Sequence, residues 1–224
     1  MPSPKPTGRH WSKYRKRIVD SGGLCDISLI FSKPGVEELG HFRTRCAGSN
    51  PSIQYGPPRF MNSYPGSTYE SIKDILSRLA PTQKPFSVDL VSPHRSSRNL
   101  QQMISLEFTS SPLQNLITGL LAEFKSRNLN IIELKERSPD EVSKDPLRPR
   151  PKFIIAKKLS EREANKIFES AKEQHGLGSP NPTVVGLSLR FEPPRGDARS
   201  PADRAKIPEI EPLPVIEFQF EGVD

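Results

Sequence analysis

Apolar residues along the chain follow strand spacing in some stretches and helix spacing in others. Alternation of apolar and polar residues, bounded by proline or glycine, is typical of strands. It predicts strands at residues 24–31, 85–91, 103–108, 153–156, 183–191 and 214–220, and a short extended segment at 57–64. The strands at 85–91 and 103–108 flank a polar loop at 92–101 and are expected to pair as antiparallel neighbours.

Apolar residues spaced three and four apart predict three amphipathic helices. The Ser-x-x-Glu spacing of a capping box occurs at Ser67 and at Ser160, before the first and the third helix. Ser111 is predicted to cap the second helix, with Pro112 at its first position. A shorter helical stretch is expected at 36–43. The predicted buried faces are Tyr69, Ile72, Ile75, Leu76 and Leu79; Leu113, Leu116, Ile117, Leu120, Leu121 and Phe124; and Ala164, Ile167, Phe168 and Ala171.

One pattern occurs twice along the chain. Pro58-Arg59-Phe60 and Pro151-Lys152-Phe153 each place a proline, a basic residue and a phenylalanine at the start of an extended segment, and a capped helix follows each. An internal duplication predicts two similar lobes with equivalent positions facing each other. We therefore predict an α+β fold of two pseudo-symmetric lobes, each an antiparallel sheet with external helices, around a central groove.

Composition changes this picture mainly at the ends and in the loops. Only 33% of the 224 residues are hydrophobic, and 24 prolines and 14 glycines indicate many irregular connections. We expect a basic, flexible arm at residues 1–23 and a two-lobed domain at 24–221. Mobile loops are expected near 136–151 and 193–212, which are charged and lack an apolar pattern.

Positive charge is concentrated near the first residue. The chain has 33 Lys and Arg against 26 Asp and Glu, a net charge of +7, which favours polyanionic partners. The cations that precede the first acidic residue are Lys5, Arg9, Lys13, Arg15, Lys16 and Arg17. Such an arm suits RNA, a membrane surface or an import receptor. Because it has no apolar h-region, and no stretch of the chain is long and apolar enough to span a membrane, we expect a protein of the cytoplasm or nucleus, with the mitochondrion left open.

The residues needed for disulfide frameworks, zinc sites and several classes of hydrolase are missing from the sequence. Cys25 and Cys46 are too few for a disulfide framework or an all-cysteine zinc site. The motifs of nucleotide-triphosphate and zinc hydrolases are absent, so we predict no metal and no cofactor. His94-Arg95-Ser96 fits a His-x-Ser pattern, but we expect it in the loop at 92–101, and it has no second copy. His41 has its hydroxyl partner one position too far along the chain for that pattern.

With these elements in order, the chain resembles the 2H phosphoesterase superfamily over about residues 24–221. That superfamily includes RNA 2′-5′ ligase-like proteins and cyclic nucleotide phosphodiesterases, and each of its two lobes has a strand reading Pro-His-x-Thr or Pro-His-x-Ser before a helix. This chain reads PPRFM at 57–61 and RPKFI at 150–154. Arg59 and Lys152 replace both histidines, and Met61 and Ile154 replace both hydroxyl residues.

The replacements argue against the catalysis that the resemblance would imply. Opening a cyclic phosphate requires one group that accepts a proton and one that donates it near neutral pH. Arginine stays protonated, and lysine is charged unless its surroundings disfavour charge. The resemblance instead implies a basic groove in which Arg59, Lys152, Arg150 and Lys157 bind phosphate, and the arm suits RNA as well.

We therefore predict a binding protein for RNA or a phosphorylated ligand that has lost catalysis, and one form of this hypothesis is a ribonucleoprotein component. Two alternatives stay open. One is an active cyclic phosphodiesterase or RNA-end hydrolase that uses unorthodox groups such as Lys152 and His94. The other is a protein-interaction scaffold whose groove is filled by its own loops.

Overall fold

The computed structural model describes residues 22–48, 60, 64–98, 101–129, 151–193 and 213–223. Within these ranges the strands are β1 Leu24–Phe31, β2 Tyr64–Pro65, β3 Phe86–Ser87, β4 Asp89–Leu90, β5 His94–Arg98, β6 Gln101–Thr109, β7 Lys152–Leu159, β8 Thr183–Glu192 and β9 Ile216–Gln219. The α-helices are α1 Lys33–Ala47, α2 Tyr69–Leu79, α3 Ser111–Ser126 and α4 Glu161–Leu177. This α+β content confirms the predicted fold class.

Two antiparallel sheets organise the strands. The first sheet has the order β2-β1-β8-β3, and β9 also pairs with β8. The second sheet is built on β6, which pairs with β4, β5 and β7. The helices pack on these sheets, and the buried apolar residues form one continuous core.

The predicted strand at 85–91 divides between the two sheets. β3 pairs with β8 of the first sheet, and β4 pairs with β6 of the second. Between them Val88 is fully buried, and its N–H donates to the carbonyl of Pro182 at 3.1 Å. Apolar residues still alternate along 85–91, because Val88 and Leu90 are both buried in the core. The strand that pairs with this segment changes from β8 to β6. The predicted antiparallel pairing with 103–108 is therefore correct only for β4.

A strand followed by a serine-capped helix occurs in each half. Ser32 follows β1 and accepts from the N–H of Gly35 at 3.3 Å, and Ser110 follows β6 and accepts from the N–H of Leu113 at 3.2 Å. Both helices carry a proline in the first turn, where a backbone N–H has no intrahelical partner. α1 is thus longer than the predicted 36–43, and the predicted cap at Ser111 is wrong by one residue.

The two predicted capping boxes have different outcomes. At α4 the box forms, since Ser160 Oγ accepts from the N–H of Glu163 and the N–H of Ser160 donates to that carboxylate at 2.9 Å. These hydrogen bonds lower the pKa of Glu163. At α2 the prediction is wrong: Ser67 lies inside a 3₁₀ turn, Gly66–Thr68, and the Thr68 hydroxyl donates to the Pro65 carbonyl at 2.6 Å.

The repeated phenylalanines occupy equivalent places. The N–H of Phe60 donates to the carbonyl of Ile27 on β1 at 3.0 Å, and Phe153 on β7 pairs with Leu106 on β6. Both phenylalanine side chains are 1% exposed. α2 follows the first and α4 follows the second, so strand, capped helix, phenylalanine segment and second helix recur in the same order. This is the predicted duplication.

The helices of one half pack against the helices of the other. α1 contacts α4, where Arg45 Nε donates to Gln174 Oε1 at 3.0 Å. α2 contacts α3, where Arg78 Nη2 lies 3.2 Å from Glu123 Oε2. The rings of Phe31 and Phe108, at the ends of β1 and β6, lie 5.1 Å apart between centroids. These reciprocal contacts join the two halves through a shared core.

Lys158, near the end of β7, has a left-handed backbone conformation with φ of 61° and an exposed side chain. A residue with a Cβ is disfavoured there by about 1 kcal/mol. We expect Lys158→Gly to raise the free energy of unfolding by up to about 1 kcal/mol, measured by urea denaturation. Lys157→Gly, at a neighbouring position without a positive φ, is the matched control and should lower it by about 0.5–1 kcal/mol. Equal losses for both variants would contradict the assignment of strain to Lys158.

Candidate functional site

The second sheet has one face directed to the core and one polar face. In β6, Ile104, Leu106 and Phe108 are buried in the core, so Met103, Ser105 and Glu107 alternate onto the other side. Register extends this side to the neighbouring strands. We call it the polar face, and its members are His94, Ser96, Met103, Ser105, Glu107, Lys152, Ile154 and Lys157.

Register arranges the polar face in three rows. Glu107 lies opposite Lys152, Ser105 lies between Ile154 and His94, and Met103 lies between Lys157 and Ser96. Residues opposite each other on antiparallel strands have Cβ atoms about 4.5–5.5 Å apart, and successive rows are about 7 Å apart. The central row therefore lies within reach of the lysines in the rows on either side.

Lys152 is held loosely. Its Nζ lies 3.7 Å from Glu107 Oε1, and the two side chains are 32% and 31% exposed. A partly exposed ion pair at this distance contributes about 0–1 kcal/mol. Since an ammonium group has three N–H donors, Lys152 keeps donors for a second anion.

A β-bulge brings Lys157 to the same face as Lys152. Pairing with β6 shifts between Ile104 and Ser105, so Ile155 and Ala156 on β7 are both fully buried. Strict alternation along β7 would have placed Lys157 on the side opposite Lys152. Lys152 and Lys157 are thus the two predicted phosphate-binding residues that the structure places, and they share one surface.

The other predicted binding residues lie outside the described residues. They are Arg59 and Arg150, together with Arg9, Lys13, Arg15, Lys16 and Arg17 of the basic arm. The predicted loops at 136–151 and 193–212 also lie almost entirely outside. For the first motif the structure describes Phe60, which hydrogen bonds to β1 as stated above.

His94 is placed differently from the prediction. The stretch that was expected to be a loop forms β5, and His94 begins it, directly opposite Ser105 with its side chain exposed. β5 lacks apolar residues, but it is anchored on its other side by Arg95, which bonds to Glu161 and to Asn165 Oδ1 on α4. β5 is thus held in place by polar contacts, and it lacks the apolar alternation from which a strand can be predicted.

Ser105 was not singled out from the sequence. Its side chain is fully buried, and among the described residues its hydroxyl has no hydrogen-bond partner. The available signal was the alternation of Met103, Ser105 and Glu107 against the apolar residues of the same strand. That alternation identified a face, but it did not show that the serine would be buried there.

The two cysteine thiols and the imidazole of His175 are not available for chemistry on the polar face. Burial raises the pKa of Cys25 to about 12 and that of Cys46 to about 11, so both thiols are neutral near pH 7. Nε2 of His175 lies 3.0 Å from the Leu90 carbonyl, away from the polar face. In the described part of the chain, no group of three or more His, Cys, Asp or Glu side chains is arranged to hold a metal.

The equivalent surface of the first sheet differs in charge. Because Phe60 bonds to Ile27 and Phe153 pairs with Leu106, Asp26 occupies on β1 the position that Ser105 occupies on β6. Asp26 is 7% exposed and lies in register with Arg190 of β8. The two halves thus share a backbone arrangement but present a carboxylate in one and a hydroxyl in the other.

Comparison with known proteins gives a fold likeness of low score. No family model and no curated protein matches the sequence. Usb1 of Kluyveromyces marxianus with uridine monophosphate is similar at a TM-score of 0.45 and 12% identity, covering 89% of this chain and 100% of that one. A second structure of the same Usb1 has a TM-score of 0.41 and 11% identity, covering 88% of this chain and 97% of that one.

No helix among the described residues has the length and apolar character needed to cross a membrane.

Proposed function

We propose that the chain binds RNA or another phosphate-bearing ligand on the polar face of the second sheet without turning it over. The observation that carries the proposal is that Lys152 and Lys157 lie on one face of β7, on either side of a row that contains Ser105. Two ammonium groups and a hydroxyl are a suitable set of donors for phosphate oxygens. The net charge of +7 acts in the same direction.

The resemblance to the 2H phosphoesterases supports the same surface. Phe60 and Phe153 hold equivalent places in the two halves, and in each motif the basic residue precedes the phenylalanine. Lys152 thus stands where the superfamily has a catalytic histidine. Retention of charge with loss of the imidazole favours binding over hydrolysis.

A hydrolytic function is the second candidate, and the position of His94 favours it. An imidazole on the polar face, one strand from the second motif, is a group that can exchange protons near neutral pH. RNA ending in a 2′,3′-cyclic phosphate distinguishes the two functions. Binding without turnover supports our proposal, whereas turnover that disappears in His94→Ala would establish the enzyme.

Titration with a fluorescent single-stranded RNA at about 50 mM and about 200 mM salt tests the proposal. If two lysines contact phosphates, affinity should fall about sevenfold over this range, and more if the basic arm contributes. If the arm contributes, a version lacking residues 1–19 should lose only about sevenfold in affinity over the same range of salt, whereas the full chain should lose more. Affinity that is independent of salt would contradict phosphate recognition, and absence of binding would favour the scaffold alternative.

A further inference from the structure

We infer that the Ser105 hydroxyl is a direct ligand of the phosphate on the polar face, in place of the motif hydroxyl that position 154 lacks. The inference rests on the proposed function and assigns it one further binding residue. It begins from the burial of Ser105, whose side chain is 0% exposed and whose Oγ has no hydrogen-bond partner within the described residues. A buried hydroxyl without a partner is disfavoured, so a ligand or a water that satisfies it is the expected reason for its presence.

The position of Ser105 is suitable for a residue that binds the phosphate. It lies directly opposite Ile154 on β7, one strand spacing, or about 4.8 Å, from the second motif. Isoleucine cannot bond to a phosphate oxygen, whereas a serine hydroxyl can donate to one. A donor displaced by one strand is still within reach of a phosphate that contacts Lys152.

The charges around Ser105 also suit an anion. Lys152 and Lys157 occupy the rows on the two sides of Ser105, and long side chains reach diagonal neighbours across a strand pair. Glu107 is the opposing charge in this group, and it is already paired with Lys152 at 3.7 Å. A phosphate above Ser105 would therefore meet two ammonium groups and one hydroxyl.

Among the described residues of the first sheet, no serine occupies the position equivalent to Ser105. Its equivalent of Ser105 is Asp26, whose carboxyl group accepts hydrogen bonds and repels phosphate when ionised. At this one position the duplication gives a hydroxyl in the second sheet and a carboxyl group in the first. We accordingly place the phosphate on the second sheet.

Ser105 is buried, so access requires a neighbouring side chain to turn aside. His94 lies directly opposite on β5 and has an exposed side chain, so it is free to adopt another rotamer.

Ser105→Ala in the full chain tests the inference, with a short single-stranded RNA bearing a 3′-phosphate as the probe. We expect affinity to fall about fivefold to tenfold, as for loss of one hydrogen bond to a charged group. The melting temperature should rise by a few degrees, because the unpartnered hydroxyl is removed. A serine that merely supports the fold would give a lower melting temperature instead.

Ser179→Ala is the matched control, since the Ser179 hydroxyl is also buried without a partner among the described residues, but Ser179 follows α4 and is not a member of the polar face. It should change affinity by less than twofold. Unchanged affinity in Ser105→Ala, with weakened binding in Lys152→Glu, would overturn the inference and leave the proposed function standing. Loss of both affinity and thermal stability in Ser105→Ala would also overturn it. If the unaltered chain does not bind the probe, the proposed function itself fails.

Discussion

Replacing Phe153 by alanine should lower the free energy of unfolding by about 3–5 kcal/mol, and Phe60→Ala should have an effect of the same size. Both side chains are 1% exposed. The Phe153 ring lies 6.3 Å from that of Phe108 and 4.7 Å beneath the guanidinium of Arg43, so its removal opens a cavity between α1 and the second sheet. Urea denaturation followed by circular dichroism gives the measurement. Since small domains are stable by about 5–15 kcal/mol, either variant should be near the limit of folding.

Phe218→Ala is the control for this pair, because Phe218 is a phenylalanine on β9 that is only half-buried. We expect it to lower the free energy of unfolding by about 1–2 kcal/mol, in proportion to the smaller area removed from water. A loss in Phe60→Ala no larger than that in Phe218→Ala would contradict the equivalence of the two halves.

Lys152→Glu should weaken binding of single-stranded RNA at least tenfold at about 50 mM salt and reduce the salt dependence by about one phosphate contact. The substitution removes a cation from the polar face and places a second carboxylate beside Glu107. Fluorescence polarisation at several salt concentrations measures both effects. The melting temperature should change little, since Lys152 is about a third exposed and its ion pair is weak.

Glu107→Gln changes the charge of the same ion pair in the opposite sense and should therefore strengthen binding. Removal of a unit charge about 4 Å away is worth about 1 kcal/mol in water, which corresponds to roughly fivefold tighter binding. Equal affinities for Lys152→Glu, Glu107→Gln and the unaltered chain would show that RNA does not bind on this face.

The helices and the longest strands could be predicted because packing against one core imposes a regular spacing. β1 matches the predicted 24–31 residue for residue, and the buried face of α3 contains Leu113, Leu116 and Leu120 as predicted, whereas Leu121 is only partly buried. The capping box at Ser160 was also predicted, since both of its partners are local in sequence. The duplication was predicted from Phe60 and Phe153, which proved to be equivalent core residues.

The parts that escaped prediction depend on contacts distant in sequence. β5 is held by Arg95 bonding to α4, which no apolar spacing records. The division of 85–91 between two sheets depends on which strand lies beside Val88, and the bulge at Ile155 depends on register with β6. The Ser-x-x-Glu spacing at Ser67 was insufficient because the Thr68 hydroxyl bonds to Pro65 instead.

The pairing of β1 with β8 has a consequence for synthesis on the ribosome. The second sheet is built from one continuous stretch, residues 89–159, and its strands can meet as soon as that stretch has emerged. β1 is made early but has its longest pairing with residues 184–192, so it stays without that partner until those residues have been made. Contacts between such distant segments form slowly, and an unpaired apolar strand is prone to aggregation meanwhile. We therefore expect the nascent chain to expose an unpaired apolar strand, β1, until β8 has emerged from the ribosome.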